Sequence, residues 1–188
     1  MIFWAGRDAR LFHVKEELQG LCVLMNKFSR ISFTWILLTL ALFAVFFELG
    51  RSDVVTANEG QRTTPPAEMI RSGQYIVPTI NGVDYLAKPP MLYWMIAGVY
   101  TLTGSVSEFA ARVPSAASTV LLVLCLYWLA RREASEQEAR WAALALLASP
   151  FLLDRAHLAE IDAVLSLAVL LCLMAMRRAC RADTTVMR

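Results

Sequence analysis

The chain has 188 residues, 57% hydrophobic and 18% charged, with 18 Lys and Arg against 16 Asp and Glu and a net charge of +2. Such a balance, with no basic stripe interleaved with aromatics, excludes a nucleic-acid binder. The apolar residues are gathered in long runs instead of being spread as in a soluble core, which points to a multi-span membrane protein. The four cysteines, Cys22, Cys125, Cys172 and Cys180, have neither disulfide-framework nor metal-cluster spacing and read as small apolar residues.

Residues 1–30 read as a cytoplasmic N-terminal segment. Met25 opens a short basic flank with Lys27 and Arg30. It is one candidate for the true start, and a short amphipathic segment upstream of it is the other reading. Ile31 to Phe47 is almost wholly apolar and predicts a first membrane helix over 31–50. The basic residues ahead of it place the N-terminus in the cytoplasm. A cleaved signal peptide fits less well, because no small-residue cleavage site follows the run.

Residues 51–112 predict an outer loop, with five of the chain's seven prolines in 51–90. Pro65 and Pro66 suit the start of a short helix over 64–71, and Gly73 suits its stop. Asn81-Gly82 is a turn signal. Pro89-Pro90 then stiffens the entry to an apolar, aromatic run over 91–102. Twelve residues make about 18 Å of helix, too short to span, so the run reads as an interfacial helix with Tyr93, Trp94 and Tyr100 at headgroup depth.

A second span is predicted over 113–130, a cytoplasmic linker over 131–137 and a third span over 138–153, kinked or ended near Pro150. A short outer polar segment (154–160), a fourth span (161–176) and a cytoplasmic tail or truncation point (177–188) complete the chain. The basic clusters at 27–30, 131–140 and 177–181 then all fall on one side of the membrane. No closing element follows the fourth span, and the expectation is the N-terminal part of a larger protein.

Four groups of residues have chemical potential. Asp53, Asn58 and Glu59 follow the first helix, where a carboxylate serves as base, metal ligand or hydrogen-bond acceptor, or is merely solvated. Lys88, beside the rigid prolines, suits a lipid phosphate or a snorkelling anchor. Asp154, Arg155, His157, Glu160 and Asp162 lie between two apolar runs. Helical spacing puts His157 with Glu160, and Arg155 with Asp162, on shared faces. They are candidates for a polar site or a divalent metal, or a hydrated boundary between spans. Glu108 and Arg112, four apart, suit a local ion pair worth about 0.2–0.5 kcal/mol, and Arg112 also suits a lipid phosphate.

An ordered series of short motifs runs through the chain from about Ile31 to Arg178. It includes Asn58-Glu59, Glu68-Met69, Ser72-Gly73, Pro78 with Asn81-Gly82, and Tyr85. It continues with Lys88-Pro89-Pro90, Leu92-Tyr93-Trp94, Glu108 to Arg112 and Pro114-Ser115. The series resembles the N-terminal third of the polytopic polyprenyl- and dolichyl-phosphate-sugar glycosyltransferases, which include the protein O-mannosyltransferases and the lipid A aminoarabinose transferases. The resemblance implies an all-α integral membrane protein, a GT-C-like polytopic helical bundle in the bacterial inner membrane, truncated here. It implies a polyprenyl-phosphate sugar donor and a lipid, glycan or protein acceptor at the outer face.

By the same resemblance, an Asp-Glu pair after the first helix supplies the base that takes the acceptor proton. The sugar inverts and the lipid phosphate leaves. The aspartate position falls here on Asn58, whose amide is no base at useful pH. Glu59 keeps the second position, and Glu59, Asp53 or another group is left for the role. Lys88 matches the family lysine near the lipid phosphate, with Arg112 and Arg155 as helpers. Arg155 and Asp162 resemble the polar end of a later family helix. Where some relatives place a metal-binding glutamate before the Lys-Pro pair, this chain has Ala87, so that metal site does not carry over. The other readings are a transporter-like fragment, which predicts charges at mid-membrane, and a non-catalytic membrane scaffold.

Overall fold

The computed structural model describes Ser29, residues 31–51 and residues 57–186. The chain divides into two units, Met1–Thr39 and Leu40–Arg188. In the first, the described residues 31–39 are helical, with the Thr39 hydroxyl donating to the Trp35 carbonyl. This is the start of α1 (Ile31–Phe46), which ends in the second unit.

The second unit continues with α2 (Ala57–Ser72), strands β1 (Thr79–Ile80) and β2 (Val83–Asp84), α3 (Met91–Thr103), α4 (Glu108–Glu133), α5 (Glu136–Leu147), α6 (Pro150–Ala156) and α7 (Ile161–Val186). The strands form an antiparallel hairpin with Thr79 opposite Asp84 and Ile80 opposite Val83. Asn81 (φ 54°) and Gly82 (φ 75°) turn it, the paired left-handed conformation that Asn-Gly favours. The core joins Ala67 of α2, Leu92, Ile96 and Tyr100 of α3, Ala110 and Ala111 of α4, and Ala159 and Val164 around the start of α7. Alanine at the α4 positions lets the shorter helices approach closely. At Gly50 a Cβ would stand 3.1 Å from the Phe109 Cβ, so glycine there permits the chain leaving α1 to cross the start of α4.

Several helix bounds differ from those expected. The tandem prolines do not open a short helix over 64–71; they lie inside the 16-residue α2. Proline removes an N–H from the ladder, here leaving the Gln61 and Arg62 carbonyls without their usual donors, while the Thr63 and Thr64 hydroxyls both donate to the Gly60 carbonyl just before them. Helix α4 starts five residues before the predicted 113, capped by Ser107, whose hydroxyl accepts from the Ala110 N–H. The run predicted as one helix over 138–153 is two, α5 and α6, because Ser149 is extended (φ −68°, ψ 116°) ahead of Pro150. The last helix runs past 176, through its arginines, to Val186. α3 follows the predicted interfacial helix closely.

Among the described residues, Glu108–Glu133 and Ile161–Arg181 are long and apolar enough to cross a membrane, and Ile31–Phe46 and Met91–Thr103 are shorter apolar helices. The C-terminal ends of the two long helices lie together, since Glu133 of α4 pairs with Arg177 and Arg181 of α7. Next to it, Glu136 accepts from the Tyr127 hydroxyl (2.6 Å) and pairs with Arg131 (3.5 Å) and Arg140 (3.3 Å). The two helices are therefore parallel, with α5 and α6 as the return between them.

Candidate functional site

The opposite ends of α4 and α7 carry the polar groups that the sequence singles out. Arg112, in the second turn of α4, is fully buried, as is Glu59 in the first turn of α2. Arg112 Nε donates to Glu59 Oε1 at 2.7 Å and Nη2 to Oε2 at 3.2 Å. Nη1 donates to the Leu49 carbonyl at 2.9 Å. Glu59 Oε1 also accepts the Ala159 N–H at 3.2 Å. Two parallel charge-assisted bonds fix the two planes against each other, and the buried pair ties together the end of α1, α2, α4 and the approach to α7. The local Glu108–Arg112 pair does not form, because burial against Glu59 gives the guanidinium two matched acceptors that an exposed helix neighbour cannot.

A second buried carboxylate lies alongside. Glu160 Oε1 accepts from Arg62 Nη1 at 3.2 Å, and Oε2 from Arg155 Nη1 at 3.0 Å. The Glu160 backbone is locked to Ser115: the hydroxyl donates to its carbonyl (2.7 Å) and accepts its N–H (3.1 Å). Arg155 lies over the Phe151 ring, and its Nε is buried without a hydrogen-bond partner. The set brings the guanidiniums of Arg62, Arg112 and Arg155 to Glu59 and Glu160, and Arg155, 33% exposed, also pairs with Asp154 at 3.5 Å.

His157 and Glu160 do not share a helical face. His157 ends α6, with Nδ1 at 2.7 Å from the Leu153 carbonyl and Nε2 at 3.3 Å from the Phe47 carbonyl, whereas Glu160 sits in the turn before α7. Arg155 and Asp162 lie on different helices, α6 and α7, because the chain leaves helix between them. Asp162 is exposed in the first turn of α7.

Lys88 is exposed on the coil between β2 and α3 and makes no hydrogen bond or ion pair with any described residue. Pro89 and Pro90 hold it one step ahead of α3. Tyr85, close by, donates from its hydroxyl to Gln61 Oε1 at 3.0 Å, tying the hairpin to α2. Asp53 lies outside the described residues, as does the side chain of Asn58.

Two groups escape the sequence reading. Arg62 is one turn beyond Glu59 on α2; a helix starting at Ala57 would have put both on one face, and the prolines hid that helix. Tyr93 is the other. Its hydroxyl is buried without a partner, and loss of solvent pushes the phenol above its ordinary value, with Tyr85 adding to the effect and Arg62 opposing it. The aromatic pattern marks Tyr93 only as membrane-facing.

Among the described residues no three His, Cys, Asp or Glu side chains gather as a metal cage. The oxygens of Glu59 and Glu160 are already matched by guanidiniums, and Ala87 offers a methyl group. These donors do not fit a divalent metal.

The family model for dolichyl-phosphate-mannose-protein mannosyltransferases matches residues 87–187, beginning at Ala87 beside Lys88. An undecaprenyl phosphate-alpha-4-amino-4-deoxy-L-arabinose arabinosyl transferase from Shewanella sediminis is 36% identical over 106 residues, covering 56% of this chain and 19% of the relative. The protein of the same description from Pseudomonas savastanoi pv. phaseolicola is 33% identical over 128 residues, covering 68% of this chain and 24% of its own. The chain thus spans about a quarter or less of these relatives' length. The crystal structure of ArnT from Cupriavidus metallidurans bound to undecaprenyl phosphate superposes with a TM-score of 0.68 at 29% identity, over 74% of this chain and 26% of that one.

Proposed function

The chain belongs to the dolichyl-phosphate-mannose-protein mannosyltransferase family, and from that membership we propose that it is part of an integral-membrane glycosyltransferase. The enzyme moves a sugar from a polyprenyl-phosphate donor to a lipid, glycan or protein acceptor at the outer face of the bacterial inner membrane. The observation that carries this reading is Lys88: an exposed ammonium without a partner among the described residues, on a proline-stiffened step ahead of an aromatic helix. A compact cation so placed suits a lipid phosphate at headgroup depth.

In the proposed reaction an acceptor hydroxyl attacks the anomeric carbon. The bond from that carbon to the phosphate oxygen breaks, and the electron pair leaves with the polyprenyl phosphate. Lys88 stabilises the charge that develops there, and Arg155, the most exposed guanidinium of the neighbouring cluster, is assigned to assist it. The acceptor proton goes to a base in the segment after α1. Glu59 already binds Arg112 through both oxygens and is shut from solvent, so we assign it to holding that segment in place. Asp53 is then the assigned base, since Asn58 cannot accept the proton. No step is routed through a metal.

The proposed topology places the N-terminus inside, Glu59, Lys88 and Asp162 outside, and four membrane passages by α1, α4, the α5–α6 pair and α7. The shared, arginine-rich end of α4 and α7 supports it.

The test is sugar transfer in membranes carrying the whole gene product. Lys88→Ala is expected to lower kcat/KM by about 10²–10³-fold, the scale of losing one charge-stabilising donor. Asp53→Asn is expected to abolish transfer at normal protein levels. Transfer at the unaltered rate by Lys88→Ala would remove the reading.

A further inference from the structure

A polar cavity is lined by neither Lys88 nor Arg62, Arg112 or Arg155. It has a volume of about 290 Å³ between α2, the hairpin turn, the end of α3 and the start of α4. Thr63, Thr64 and Ser107 line it with hydroxyls, Arg71 and Glu108 with charge, and Tyr100 with an aromatic ring. Tyr100 is only 3% exposed as a residue, and its hydroxyl makes no hydrogen bond with a described residue. Arg71 and Glu108 are exposed and likewise make no hydrogen bond or ion pair with a described residue.

A hydroxyl that opens on a cavity and has no partner among the described residues is free to bond a ligand there. Burial, with the Glu108 and Glu59 charges adding to it, pushes the Tyr100 phenol up to about 12, so it stays a neutral hydroxyl donor at neutral pH. A donor phenol, an accepting carboxylate, a five-donor guanidinium and three hydroxyls together match a ring whose edge alternates donors and acceptors. The aromatic face suits the ring's C–H side. We propose that this cavity binds a saccharide ring of the acceptor. Only the word acceptor rests on the transferase reading.

The position agrees with that use. Tyr100 and Tyr93 are seven residues apart and so share a face of α3, about 10 Å apart along its axis. Tyr93 neighbours Tyr85 and Arg62, on the side where the donor phosphate is placed. One helix face would then hold acceptor and donor at about the span of a sugar.

The purified protein in detergent would be titrated with methyl glucoside, glucose 1-phosphate and inorganic phosphate, read by saturation-transfer NMR. Both sugars are expected to bind, and Tyr100→Phe and Glu108→Gln to weaken each by roughly tenfold, the scale of losing one hydrogen bond to a buried group. Lys88→Ala keeps the sugar signal but loses binding of a polyprenyl phosphate. No sugar binding by the folded protein, sugar binding indifferent to Tyr100→Phe and Glu108→Gln, or inorganic phosphate displacing the sugars would each overturn the proposal. In transfer assays the two variants raise KM for the acceptor and leave that for the donor unchanged; the reverse would overturn the acceptor assignment. Sugar binding without any transfer would count against the transferase reading alone.

Discussion

Arg112 and Glu59 show how a residue's role depends on what burial brings to it. From spacing, Arg112 belongs with Glu108; in the fold it meets Glu59, 53 positions earlier. Deleting one member of a buried pair strands the other, at a cost of about 3–5 kcal/mol. Lysine is no substitute, since an ammonium cannot form the two parallel bonds. Arg112→Ala and Arg112→Lys are therefore expected to lower the thermal midpoint well below that of Asp154→Asn, whose side chain is 63% exposed. Equal midpoints across the three would show that the pair contributes little. The sequence named both Arg112 and Glu59 as site residues but could not pair them, because no local pattern encodes a contact between the starts of two helices so far apart.

At the scale of elements, legibility followed local chemistry. The Asn81-Gly82 turn and the aromatic helix α3 were readable, because a left-handed turn and an apolar run are written in adjacent residues. The break at Pro150 was half readable, since proline marks an interruption without saying whether it kinks or ends the helix. Helix α2 was not, because prolines that usually begin a helix stand here in its middle. Its Glu68 does a further job: the carboxylate accepts from the Thr79 hydroxyl and from the N–H groups of Asn81 (2.6 Å) and Gly82 (3.4 Å), pinning the hairpin to α2. The Thr79 bond foremost, with the two backbone bonds and Arg71, holds Glu68 below its ordinary 4.5 against the opposing effect of burial. A lowered folded value means the contribution is present above the ordinary value and fades as pH falls through the lower one. The Asn81 and Gly82 amide resonances are expected to shift below pH 4.5 and to stay flat in Glu68→Gln. Matching titrations in both proteins would remove Glu68 as the cause.

At the scale of the molecule, the parallel pair of α4 and α7 gives the two arginine-rich ends one address. Cys180 is exposed beside them. In a Cys22→Ser background, an impermeant maleimide is expected to label Cys180 in inside-out vesicles and not in right-side-out ones; the opposite pattern would invert the proposed topology. The Arg112 clasp also sets an order of events. It joins Leu49, Glu59 and Ala159, and the Glu59–Ala159 contact closes over 100 positions. At synthesis rates of roughly 5–20 residues per second, Glu59 emerges about 5–20 s before its last partner exists. Arg112 follows Glu59 by 53 positions, so the carboxylate waits about 3–10 s for its guanidinium and about as long again for the Ala159 N–H that closes the contact to the approach of α7.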